Sequence, residues 1–271
     1  MRDSISQFVW ILKRRCDGVS AMPRRCIFCG GTPLTKEHAI PSWVSDCLPG
    51  EGVFTQRRES GAQWETQALQ ITVKRACLNC NTGWMSRLEG RAGSLLREPL
   101  AGKTQRWSPT EQRRVATWMF KTALMMSLSC GGSRVPSEHY KFLQKNLRPP
   151  GHCRVWVTSF GINPPSDTFE VGWIQPSWLT FEGVKTGHLV HGYAITCNIG
   201  YLAFQVLGYE GREKLQFSER VIYGIGLDRY NTEIWPPQGH PVQWPPPVGF
   251  DRAGLVEYAG RWATSRTLLK R

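Results

Sequence analysis

The 271-residue chain carries 34 Lys and Arg against 21 Asp and Glu, a net charge of +13, and 41% of its residues are hydrophobic. That apolar share suffices for a buried core and excludes a disordered polar chain, while the positive balance favours a polyanionic partner, nucleic acid first. No run approaches the roughly 18 to 20 apolar residues of a bilayer span, since "MFKTALMMSLSC" is short and interrupted by Lys121.

"FVWIL" near the N-terminus is short for a secretory leader, and its basic residues Lys13, Arg14 and Arg15 follow it, so a cytoplasmic protein without a membrane partner is expected. Residues 1–21 read as an N-terminal extension, either a short helix or a consequence of start-site choice, because Met22 stands just before "PRRCIFC". "GVFTQRRES" and "QWETQALQITVKRA" read as extended segments around a Gly-containing turn, a hairpin leading to Cys77. After Cys80, the spacing of Trp84, Leu88, Leu95 and Leu96 predicts a helix closed by Pro99. "LAGKTQRWSPTEQ" then marks a boundary, giving domains 22–105 and 106–271.

In the second domain, Ser108 or Thr110 can cap a helix whose stripe is Val115, Met119, Leu124 and Leu128, with a shorter helix at "SEHYKFLQKNL". The period then changes to two in "CRVWVTSF", "TFEVGWIQ", "GHLVHGYAITCNIGYLAFQVLG" and "VIYGIG", predicting an antiparallel sheet with a tight turn at "NIG". Six prolines within 236–247 exclude helix and central strand there and predict a rigid segment packing Trp235 and Trp244. A last short helix is expected at "RAGLVEYAGRWA". The fold class is therefore α+β.

Nine cysteines include two Cys-x-x-Cys pairs, Cys26 with Cys29 and Cys77 with Cys80. Each such turn presents two thiolates to one side of an ion, so the four close a structural zinc site. Two separate redox motifs are the alternative, but neither pair has the strand, tight turn and helix that a redox motif needs. Cys16, Cys47, Cys130, Cys153 and Cys197 read mostly as small buried hydrophobes. His139, His152, His188, His191 and His240 show no ligand spacing.

Between the knuckles lie Glu37 and His38, followed by Ile40-Pro41, and Asn81 directly follows Cys80. This ordered set, C-x2-C, acidic-His, Ile-Pro, C-x2-C-N, resembles the HNH endonucleases over roughly residues 24–97. The resemblance implies a zinc-braced ββα-metal domain, and the mixed helix and antiparallel-sheet domain read from the periodicity follows it. It implies that His38 is the general base, and that Glu37 and Asn81 hold a catalytic Mg²⁺ or Mn²⁺. Glu89, two helical turns beyond Asn81, is a further candidate ligand. The implied activity is hydrolysis of DNA phosphodiester bonds, in keeping with a microbial defence or mobile-element nuclease. A partner protein could dock on the second domain. Two features depart from the family: residues 39–78 contain no Asn to match its usual middle Asn, and Glu stands where Asp is usual. Asn81 could also serve simply as a helix cap. The competing expectation is a catalytically inactive zinc module that binds nucleic acid or protein.

Overall fold

A computed structural model describes residues 9–12, 25–48, 54–58, 63–66, 71–129, 134–162, 172–182, 189–211 and 229–261. The architecture is mixed α+β. Strand β1 (Val9–Leu12) pairs in parallel with β3 (Phe54–Arg58), which forms an antiparallel pair with β4 (Gln63–Thr66). The helix considered for the N-terminal extension is thus replaced, at 9–12, by a strand. The β-branched and aromatic "VWIL" suits a pleated surface better than an isolated short helix.

The expected hairpin exists as β3 and β4, but the segment entering the second knuckle pairs elsewhere. Strand β5 (Thr72–Cys77) runs antiparallel to β2 (Leu34–His38), with Leu34 opposite Cys77 and His38 opposite Thr72. One turn of helix, α1 (Leu78–Cys80), and a widened turn over Asn81–Met85 then lead into α2 (Ser86–Leu100). The paired strands β2 and β5, with the helix that follows, therefore carry Glu37, His38, Cys77 and Glu89.

Helix α3 (Pro109–Ser129) begins where its local chemistry dictates. Pro109 occupies the first helical position, where a missing N–H costs nothing, and Ser108 and Glu111 cap each other. Glu111 Oε2 accepts from the Ser108 backbone N–H at 2.8 Å and from its hydroxyl at 2.7 Å. These bonds hold the Glu111 carboxyl below its ordinary pKa. Every residue from Val115 to Ser127 is buried, so α3 is enclosed on all faces.

Short helix α4 (Ser137–Asn146) precedes a five-stranded antiparallel sheet formed by β7 (Arg154–Ser159), β8 (Gly172–Glu182), β9 (Leu189–Ile199), β10 (Leu202–Tyr209) and β11 (Asn231–Trp235). Its order is β11-β7-β10-β9-β8. The tight turn expected at "NIG" joins β9 to β10, with Gly200 at φ +60°. A Cβ at Gly200 would stand 2.6 Å from the Leu100 carbonyl oxygen, so only glycine lets this turn seat against the end of α2. The expected strand "VIYGIG" lies outside the described residues.

Beyond the sheet, β12 (Val242–Trp244) pairs with β6 (Gln105–Trp107), and α5 (Arg252–Gly260) is the expected last helix. Trp235 and Trp244 are buried, and their indole N–H groups donate to the carbonyls of Pro150 and Thr158.

One hydrophobic cluster runs from Cys26 and Phe28 through α2 and α3 to Phe204 and Trp244. Trp118 of α3 meets Phe204 of the sheet and Trp43 of the N-terminal part, with ring centroids 6.3 and 6.1 Å apart. The core therefore does not divide at residue 105. Burying each such aromatic contributes about 1.5–3 kcal/mol. Among the described residues no helix is long and apolar enough to cross a membrane.

Candidate functional site

The first knuckle is a tight loop. Cys26 N–H donates to Gly31 O and Gly30 N–H to Cys26 O, with Gly30 at φ +76°, and Gly31 N–H points at Cys29 Sγ at 3.4 Å. The second knuckle straddles the end of β5 and the turn α1. Cys29 Sγ lies 3.4 Å from Cys77 Sγ and 3.5 Å from Cys80 Sγ, and all four sulfurs fall within 4.8 Å of one another. A disulfide needs about 2.05 Å, whereas a tetrahedron with Zn–S near 2.3 Å has sulfurs about 3.8 Å apart. The two pairs thus form one four-thiolate set able to hold a metal ion such as zinc, and the alternative of two independent redox pairs does not match the geometry. Burial pushes the Cys80 thiol well up, while at Cys26 burial is outweighed by hydrogen bonds with the backbone of Cys29, Cys77 and Phe28.

Immediately past Cys80 the helix is interrupted, with Gly83 leaving helical geometry at φ −91°, ψ −106°. Widened turns of this kind favour functional positions. Asn81 turns its side chain back to β2, where Nδ2 donates to Thr35 Oγ1 at 3.2 Å and to Lys36 O at 3.4 Å. These bonds occupy the amide nitrogen, and no described residue engages Oδ1. Asn81 acts as a strap between helix start and strand, and its side chain forms no cap bond to the helix backbone.

Glu37 and His38, adjacent in β2, face opposite ways, as successive strand residues must. His38 is exposed, and no described residue hydrogen-bonds its imidazole. Glu37 is buried, with Oε1 3.2 Å from Lys121 Nζ. Glu89 Oε1 meets the same ammonium at 2.6 Å, and Lys121 also reaches the His38 carbonyl at 3.5 Å. Lys121 is fully buried in the middle of α3. Burial pushes the Glu37 carboxyl up despite the opposing pull of Lys121, and Glu89 adds to the rise. A divalent ion with most of its waters needs an accessible carboxylate. The Glu37 side chain is only 4% exposed and is occupied by an internal cation. Glu89, the further candidate ligand, shares that cation. The fold thus gathers Glu37, His38, Asn81 and Glu89 around the junction of β2 with the start of α2, but divides them between a solvent face and an internal ion cluster.

Lys121 belongs to no motif and stands in the sequence only as an interruption of an apolar run. Its signal was nonetheless present: a lysine inside an otherwise apolar helix must find a carboxylate.

A cleft of about 370 Å³ opens beside the site, lined by Arg87 and Arg91 of α2 and Arg113 and Arg114 of α3 over Trp84 and Leu88. Among the described residues no acidic side chain lines it. Arg87 and Trp84 also border the depression at Cys29 and Cys80, so the basic surface continues to the knuckles. Arg87 and Arg91 lie within a few residues of the second knuckle in sequence, whereas Arg113 and Arg114 join them through the contact between α2 and α3, which sequence spacing does not reveal.

Two histidines without ligand spacing also meet. His139 Nε2 and His152 Nε2 are 3.2 Å apart, with Cys153 beside them. Set against known proteins, the chain matches no family model, no curated protein and no solved structure.

Proposed function

We propose that the protein is an HNH-type endonuclease that hydrolyses DNA phosphodiester bonds, with His38 as general base. The observation that carries this reading is the exposed, unengaged imidazole at the end of β2, held beside a helix start by Asn81 and braced by the four-cysteine cluster. His38 would take a proton from the water attacking phosphorus, which requires a neutral imidazole open to solvent. Asn81 Oδ1 is the uncommitted oxygen donor of the site, and Mg²⁺ or Mn²⁺ bound there would supply positive charge against that developing on the leaving oxygen. Glu37 and Glu89, held by Lys121, position β2 against α2. Arg87, Arg91, Arg113 and Arg114 supply the phosphate contacts expected of a basic nucleic-acid surface.

A second reading has a specific observation in its favour. With Glu37 given to Lys121, the site offers few groups to a catalytic ion, as would suit an inactive zinc module that binds nucleic acid through the arginine cleft.

One assay separates the two. Purified protein is incubated with plasmid DNA and Mg²⁺ or Mn²⁺ beside His38→Ala, with zinc measured in both. The nuclease reading expects a fall in cleavage of about 10²–10⁴-fold at unchanged zinc. Tight, salt-sensitive binding without cleavage by the wild type under either ion would establish the inactive module.

A companion test addresses the cleft. Replacing Arg113 and Arg114 together with Gln should reduce by about 2 the magnitude of the slope of log affinity against log salt, measured by fluorescence anisotropy. An unchanged slope would remove the cleft from the DNA path.

A further inference from the structure

We propose that His139, His152 and Cys153 form a second metal site, independent of the four-cysteine cluster, that takes a zinc ion and ties helix α4 to the five-stranded sheet. The three residues come from two places in the chain. His139 lies on α4, whereas His152 and Cys153 immediately precede β7, in a turn fixed by the Cys153 N–H to Pro150 O bond of 3.1 Å. One ligand-capable atom from each falls within 4.8 Å of the others. The Nε2 to Nε2 separation of 3.2 Å is close to the roughly 3.3 Å edge of a tetrahedron with Zn–N near 2.05 Å.

The surroundings resemble the outer shell that orients metal-binding imidazoles. Tyr193 of β9 holds His139 Nδ1 through its hydroxyl at 2.8 Å, leaving Nε2 turned toward His152. The His152 ring packs against Tyr209 with centroids 5.0 Å apart. His139 is 1% exposed and Cys153 fully buried, while His152 is half-buried and supplies the route to solvent for a water in the fourth position. Two nitrogen donors and one sulfur donor suit a borderline ion such as zinc and are a poor set for Mg²⁺ or Ca²⁺. Binding would displace the Cys153 thiol proton to solvent.

The alternative occupant of the 3.2 Å gap is a shared proton, a plain hydrogen-bonded pair. Metal analysis of the full chain, purified with zinc supplied, distinguishes them. Two zinc ions per chain are expected in the wild type and one in His152→Asn, with Cys153→Ala as a second variant. Zinc-edge X-ray absorption on the wild type needs no variant to fold. It should show a nitrogen shell near 2.0–2.1 Å beside the sulfur shell near 2.3 Å. One zinc per chain with an all-sulfur shell would overturn the proposal.

Discussion

Lys121→Met is expected to destabilise the protein by about 3–5 kcal/mol at neutral pH, because it leaves two carboxylates facing each other without their cation. Glu37 and Glu89 converge on the Lys121 ammonium at 3.2 and 2.6 Å, and the groups are 4%, 19% and 0% exposed. Urea unfolding followed by circular dichroism measures the loss. Adding Glu37→Gln and Glu89→Gln to the variant should recover much of it, since neutral amides tolerate the site without a counterion.

The pH dependence has a definite sign. Burial raises the folded-state pKa of Glu37, so the folded state holds its proton more tightly than the unfolded chain. The associated stability is fully present below the ordinary glutamate range and is lost as pH rises through the raised value. Glu37→Gln should flatten that part of the stability profile. In Lys121→Met the loss should shrink as pH falls and the Glu37 carboxyl gains a proton. A loss under about 1 kcal/mol that does not change with pH would mean that the ion cluster does not form.

Cys77→Ser should have a still larger effect. Structural zinc contributes apparent binding energies of about 10–16 kcal/mol in small zinc domains at neutral pH, comparable with or above the 5–15 kcal/mol stability of a whole domain. Cys77 Sγ stands 3.4 Å from Cys29 Sγ, and Cys77 also ends the strand that pairs with β2, so its loss opens both metal cluster and sheet. The zinc bound by this cluster should be lost, and amide exchange should accelerate across residues 25–48 and 71–100. A strong chelator should do the same to the wild type. Undiminished zinc binding and an unchanged melting curve in Cys77→Ser would refute the four-thiolate site.

Much of this architecture was legible because it is written in local chemistry. The Ser108 to Glu111 box starts α3, the Gly200 turn joins two strands, and paired knuckle spacings announced the sulfur cluster. The pairing of β5 with β2 was harder, since more than thirty residues separate the strands and the register shifts between Thr35 and Glu37. Glu37 illustrates another limit. Its neighbour in sequence identified it as a candidate ligand, yet its surroundings are set by Lys121, eighty-four positions away. His139 and His152 show no ligand spacing for a similar reason, because their proximity depends on how α4 folds back against the start of β7.

The Lys121 ammonium makes the two halves of the chain chemically incomplete without each other. A fragment ending at residue 105 would keep both knuckles, His38 and Asn81, yet Glu37 and Glu89 would lose the positive charge between them and Trp43 its contact with Trp118. The later half is therefore an internal counterion donor to the earlier one. Excision, the usual route to testing a small zinc-bound unit, would change the electrostatics of the very strand that carries His38.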